Sequence, residues 1–225
     1  LAEACASYIR EDHDRPFLLV ASFINPHDIC YMAIRDFAQA EAQKRIVVRG
    51  KVPAARLDEA LQIPDGVSRE AFLETLCPPL PDNFEPQQDE PEAIRALQAQ
   101  RPFKRSARAQ WSEERWRMHR WAYCRLTERV DAQIGRVLDA LRESGKAENT
   151  VVIFTSDHGD MDGAHRMEHK TAFYEEACRI PLIVSRPGTT PAGAVDETHL
   201  VSNGLDLIPT LCDYAGVEPP ADLQG

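Results

Sequence analysis

Chemistry-bearing side chains concentrate in one stretch, TSDHGDMDGAHRMEHK, residues 155–170, where carboxylates, three histidines and two basic residues crowd around a pair of glycines. The stretch follows directly on Val151-Val152-Ile153-Phe154, an apolar run of strand length. In open α/β sheets ligands collect where strands end and side chains converge. Asp157 offers a hard anionic oxygen and His158 a neutral nitrogen, a pair able to hold a divalent cation. Gly159 frees the backbone to turn, so both neighbours can reach one ion although successive strand residues point to opposite faces. By itself a short Asp-His-Gly also suits a helix cap or a polar turn. His27 adds a second strand end: in Ile24-Asn25-Pro26-His27-Asp28 it takes the corresponding place after an earlier apolar run. Lys170 is close enough in sequence to fold back over the cluster. A cation, an imidazole and an ammonium together describe a site for a tetrahedral oxyanion, with developing charge stabilised and a leaving oxygen protonated.

The elements that must position these groups are strands and helices in alternation. Pro16 introduces Phe17-Leu18-Leu19-Val20-Ala21-Ser22-Phe23, Asn149 leads into the run at 151–154, and Pro181-Leu182-Ile183-Val184 forms a third run. Continuous apolar runs suit strands covered on both faces. Leu1, Ala4, Cys5, Tyr8 and Ile9 make a helical stripe, and Leu126, Val130, Ile134, Val137, Leu138 and Leu141 repeat at helical spacing in a long helix from Ser112 to Glu143, with Gly145 as its stop. Shorter helices are expected near Ile34 to Lys44, Ser68 to Leu76, Ala172 to Cys178 and Leu205 to Tyr214. Residues 32–108, with proline-rich joins such as Cys77-Pro78-Pro79-Leu80-Pro81, read as an excursion over the surface. The expected class is α/β, a mainly parallel sheet flanked by helices.

Composition limits the function classes. The 225 residues carry a net charge of -10, which argues against a general polyanion binder. Residues 101–129 run against that balance, with nine Arg or Lys to three Glu and all three tryptophans, Trp111, Trp116 and Trp121. A spacing of five turns each Trp away from the last, so a helix packed between neighbours is favoured over a stacking surface, and no nucleic-acid partner is expected. No run reaches the roughly 18 apolar residues of a membrane span, and no membrane partner is expected. Six scattered cysteines without a C-x-x-C pair suggest neither a zinc site nor a dense disulfide scaffold. The chain opens on Leu1 and closes on Gly225 without a terminating element, and is expected to be a piece of a longer protein.

On these residues the sequence resembles the sulfatase family of the alkaline-phosphatase-like superfamily. Residues 16–23 with Pro26-His27 look like the family's strand and histidine loop. Residues 155–161 look like its second metal segment, followed by His169-Lys170, by Ile180 to Val184, and by VSNGLDLIPTLCDYAGV at 201–217. The resemblance runs in order through most of the chain and is weakest over 32–108. It implies part of an alkaline-phosphatase/sulfatase-like catalytic domain over 1–225, with a long helix at 110–143 and the metal-segment half of the core at 150–217. Asp157 and His158 would be metal ligands, usually to calcium, and His27 and Lys170 would contact the sulfate and the leaving oxygen, either serving as general acid. His165 and His169 are candidates for the substrate pocket or, equally, exposed loop histidines.

The implied activity is hydrolysis of a sulfate ester on a small molecule or glycan, with a periplasmic or extracellular location. A phosphodiesterase or phosphonate monoester hydrolase of the same superfamily and a non-catalytic scaffold for anionic glycans are the alternatives. The family's nucleophile is a formylglycine made in a Cys/Ser-x-Pro-x-Arg motif. That motif does not occur here: the stretches at Cys77 and Ser185 lack the arginine. The nucleophile segment and a C-terminal subdomain are therefore expected outside these residues, and the isolated chain is expected to be inactive.

Overall fold

In the computed structural model residues 1–38 and 51–224 are described. They fall into two compact units, one of residues 1–140 with 158–179 and one of 141–157 with 180–225.

The first unit is helical. Helix α1 (Ala2–Arg10) buries Ala2, Cys5, Ala6 and Ile9, a face rotated from the expected stripe so that Leu1 and Tyr8 remain exposed. After it the chain runs extended from Pro16 to Ile24 and enters a single 3-10 turn, His27–Cys30. The expected first strand is thus corrected. Phe17, Leu19, Ala21 and Phe23 are half-covered while Leu18, Val20 and Ile24 face outward, and the stretch forms no ladder among the described residues. An apolar run becomes a strand only beside a partner that takes up its N–H and C=O groups.

Helices α2 (Tyr31–Phe37), α3 (Lys51–Ala60), α4 (Arg69–Thr75), α5 (Glu92–Gln100) and α6 (Pro102–Gln110) follow. The later part of the helix expected at 34–44 lies outside the described residues. At α4 the Ser68 hydroxyl accepts the Ala71 N–H at 3.2 Å, an N-cap of the usual kind. Helix α7 (Glu113–Glu143) starts where Ser112 Oγ accepts the Arg115 N–H and ends before Gly145, whose φ of 72° closes the last turn.

Described residues of the stretch 32–108 reach the core. Met32, Ala33, Leu57, Phe84, Phe103 and Ala107 join Trp111, Trp116, Ala122 and Leu126 in one buried cluster, and Phe72 and Cys77 pack with Trp121 in another. The helices here are short and joined by prolines, so the periodic signal is broken although each piece contributes one to three core residues. All three tryptophans of the basic segment are buried. Its charge is taken up at the rim, by pairs such as Arg108 with Glu90 and Arg115 with Asp36.

The second unit holds β1 (Val152–Thr155) and β2 (Leu182–Ser185), paired with Val152 opposite Ser185 and Thr155 opposite Leu182. The pair is antiparallel, whereas a mainly parallel sheet was expected. Apolar composition carries no strand direction, and the intervening chain holds only a four-residue helix, α8 (Glu175–Cys178), rather than a full crossover helix. Helix α9 (Leu207–Ala215) closes on Gly216 at φ 65°, with the Val217 N–H returning to Cys212 O at 3.0 Å. The α/β class stands. Among the described residues no helix is long and apolar enough to cross a membrane.

Candidate active site

His27 is presented by a tightly tied turn. Asn25 Oδ1 accepts the Asp28 N–H at 3.1 Å while its Nδ2 donates to Asp28 Oδ2 at 2.9 Å, so one side chain clamps both polar ends of Asp28. Asp28 is buried, with Arg56 at 3.8 Å, and Ile29 beside it is a core residue. The His27 N–H is held on Ile24 O at 3.1 Å.

Lys170 comes from the far end of the charged loop. Met161, Ala164, Met167 and Ala172 sink into an apolar cluster with Ile94 and Ala177, which anchors the loop from below. Its backbone is unusual, because Asp162, His165, Arg166, His169 and Thr171 all have positive φ. Such conformations cost non-glycine residues about 1–3 kcal/mol each and persist where the surroundings over-determine them. Here Arg120 Nε donates to Asp162 Oδ2 at 3.0 Å, the His165 N–H to Asn83 O at 2.8 Å, the Met161 N–H to His169 O at 2.7 Å and Arg166 to Glu85 at 2.8 Å. Gly159 is needed for close approach rather than for φ. A Cβ there would lie 1.9 Å from Glu176 O, beside the bond its N–H makes to Ala177 O.

These two supports bring together groups 143 positions apart: Lys170 Nζ stands 2.8 Å from His27 Nδ1. An ammonium can only donate, so Nδ1 accepts and the proton of neutral His27 rests on Nε2. Cys30 Sγ lies 3.7 Å from that Nε2. Burial pushes the Cys30 thiol up to about 11, which leaves it an uncharged neighbour and not a nucleophile. Burial likewise pushes the Asp160 carboxyl up to about 6, against the pull of His119 and Lys170. Lys104 is pushed down to about 8 by burial and by Arg101, with Asp160 acting in the opposite sense. His169 is held well below the usual histidine range by burial and by Lys104, His119, Lys170 and His27 around it.

His27 and Lys170 are therefore brought together. Asp157 and His158 are both exposed, and the His158 ring nitrogen Nδ1 lies 2.7 Å from Gly159 O. The peptide oxygen of Asp157 accepts from Asn203 Nδ2 at 3.0 Å. His165 and His169 are buried, so the exposed-loop alternative for them does not hold. His165 packs its ring 4.5 Å from Tyr174, and His169 pairs with Glu168 and lies 5.9 Å from Phe103. Three groups escaped the sequence reading: Cys30, the His119–Arg120 buttress under Asp162, and Lys104, whose Nζ donates to Lys170 O at 3.3 Å. Lys104 belongs to the basic segment, but nothing in its local pattern marks it off from eight neighbouring cations.

The sulfatase family pattern matches residues 1–217. The chain belongs to the sulfatase family. This sulfatase chain is 30% identical over 226 residues to a Delta 4,5-hexuronate-2-O-sulfatase of Bacteroides thetaiotaomicron, covering 99% of the chain and 41% of that protein. An N-acetylglucosamine-6-O-sulfatase of the same organism is 42% identical over 96 residues, 43% of the chain and 17% of its own length. Among solved structures, a 2-O GAG sulfatase superposes with a TM-score of 0.70 at 28% identity, covering 100% of this chain and 42% of that one. The chain thus spans about two fifths of the length of the relatives it matches throughout.

Sulfatases generally use a metal ion and a formylglycine. Asp157 and His158 have the donor chemistry for a divalent cation and their exposure leaves them accessible to one. Two donors do not complete a cage, and among the described residues no group of three or more His, Cys, Asp or Glu is gathered to hold one. The fit is that of part of a ligand set.

Proposed function

We propose that in its full-length protein this chain supplies the acid and anion-binding half of a sulfuric ester hydrolase acting on a sulfated glycan. The observation that carries this reading is the His27–Lys170 pair at 2.8 Å, assembled by two independently braced segments within the family match. When bound, a metal ion and a formylglycine would contribute Lewis acidity and the nucleophile, with Asp157 and His158 as this chain's ligands and calcium as the ion. Anion binding and proton delivery would fall to residues of this chain.

The Lys170 ammonium has three N–H donors and uses one on His27. The others are available to sulfuryl oxygens, where charge grows as the ester bond to sulfur breaks. His27 carries its mobile proton on Nε2 and is the general acid for the departing alcohol oxygen, with Lys170 keeping Nδ1 occupied so that the proton stays on the other nitrogen. His165 and His169, buried under the loop, act as its packing and as candidate walls of the pocket. Two relatives that match along essentially the whole chain are named for 2-O-sulfatase activities, so a 2-O-sulfate on a uronic acid is the first substrate to try, with a periplasmic or extracellular site of action.

The test is made on the intact gene product. Release of sulfate from a 2-O-sulfated unsaturated disaccharide, with formylglycine found by peptide mass spectrometry, supports the reading. Unmodified protein that binds the disaccharide without releasing sulfate would instead establish a glycan-binding scaffold.

A further inference from the structure

Lys104 is an unusual lysine for a site it was not expected to join. It stands in the first turn of α6, whose Phe103 and Ala107 are core residues, and it is itself only 7% exposed. Lysine is seldom buried to that degree without a partner. Its partner is a main-chain oxygen: Nζ donates to Lys170 O at 3.3 Å. That carbonyl sits at the most constrained point of the loop, between His169 at φ 70° and Thr171 at φ 83°. A β-branched residue at positive φ is a backbone outlier, and the Lys104 bond falls on the peptide that joins it to Lys170. The same two lysines line a small cleft with Gln98 and Glu168. Helix α6 is in turn fixed from outside by the two hydrogen bonds from Arg108 to Glu90 at 3.0 and 2.5 Å.

We infer that Lys104 is a positioning residue for the His27–Lys170 pair: by holding the Lys170 carbonyl it fixes the peptide from which the Lys170 side chain projects toward His27. It acts through Lys170 and not on the sulfate. The inference rests on the reading of Lys170 as the sulfate-binding ammonium. Arg101, Asp160, Lys170, Cys30 and His169 face Lys104 electrostatically, and its depressed pKa, about 8, makes the contact sensitive to alkaline pH. Loss of the proton weakens a charge-assisted bond to a neutral one.

The experiment compares Lys104→Met, Lys104→Gln, Lys104→Arg and Lys170→Ala in the intact protein, using a 4-nitrophenyl sulfate turnover assay over a range of pH. Lys104→Met is expected to lower kcat about 10- to 100-fold with KM within about 3-fold of wild type, the signature of a misplaced group. Lys104→Arg, which stays charged, should recover most of that kcat and move the alkaline limb of the kcat profile to higher pH. If Lys104→Met does not fold, Lys104→Gln, which keeps a shorter N–H donor, is the variant to read and should lose about 10-fold. A folded methionine or glutamine variant with wild-type kcat and an unmoved alkaline limb, alongside an inactive Lys170→Ala, overturns the inference and leaves the proposed function standing. Full activity in Lys170→Ala removes the proposed function, and the positioning role with it.

Discussion

The two units differ in their cores: the first encloses many large apolar side chains, although Leu18, Val20, Ile24 and Phe173 stay outside its core, and the second encloses few among the described residues. In the first, Trp116, Phe72, Leu57 and Met32 are all 0% exposed. In the second, Phe154 is 40% exposed, Ile183 58% and Leu200 fully so, and α9 has no buried residue. The groups of the proposed site, His27 and Lys170, and Lys104 beside them all ride on the packed unit, whose second cluster lies beneath the Lys170 loop. Asp157, with the two strands, belongs to the lightly covered unit. Close packing confers geometry, because a side chain among interlocked neighbours has nowhere else to go.

The largest test of this contrast is Trp116→Ala, expected to cost about 3–5 kcal/mol in denaturant unfolding of the intact protein because it opens a cavity in the main cluster. A loss under about 1 kcal/mol would mean that the packed unit is not what holds the molecule. Next is Lys170→Ala, expected to lower kcat about 10²- to 10³-fold, the usual effect of removing one donor to developing negative charge. Unfolding measured on the same variant should show little change, which separates site from scaffold. Gly159→Ala should destabilise by about 1–3 kcal/mol, since the new methyl collides with a main-chain oxygen that cannot swing aside. Thermal unfolding of that variant at the wild-type midpoint would show that the approach to Glu176 is looser than described.

A smaller effect is linked to pH. The folded pKa of Lys104, about 8, lies below the ordinary 10.5, so between those values the unfolded chain holds a proton that the folded one has released. Its contribution to stability therefore rises with pH across that window. Unfolding free energies of wild type and Lys104→Met should diverge there, and parallel curves would count against a buried Lys104. Smallest of all is Ile183→Thr, expected to change the stability of the 225-residue chain by no more than about 0.5 kcal/mol. The same substitution costing several times more in the intact protein would reveal that this face is covered there.

What could be read from the sequence, and what could not, follows the same physics. β1, β2, α7 and α9 were legible because each is a continuous run or a sustained period ended by a glycine or proline. His27 and Lys170 were singled out through the segments around them, and only the folded chain shows that they touch. The core residues among the described part of 32–108 were hidden because a seven-residue helix such as α4 offers a single buried anchor, Phe72, and one anchor makes no period. Strand direction was hidden because Val, Ile and Leu pack alike either way. Lys104 was invisible for a related reason: what sets it apart from Arg105 or Arg108 is the oxygen it meets, a residue 66 positions away.

The extended stretch after Pro16 has a consequence for handling the molecule. Leu18, Val20 and Ile24 are each at least 70% exposed, on a backbone whose hydrogen-bonding groups find no ladder among the described residues. An uncovered apolar edge of this sort is a template for another extended chain, and no lysine or inward charge interrupts it between Phe17 and Ile24. The solubility of the 225-residue chain is thus expected to depend on these eight residues, none of which belongs to the His27–Lys170 pair.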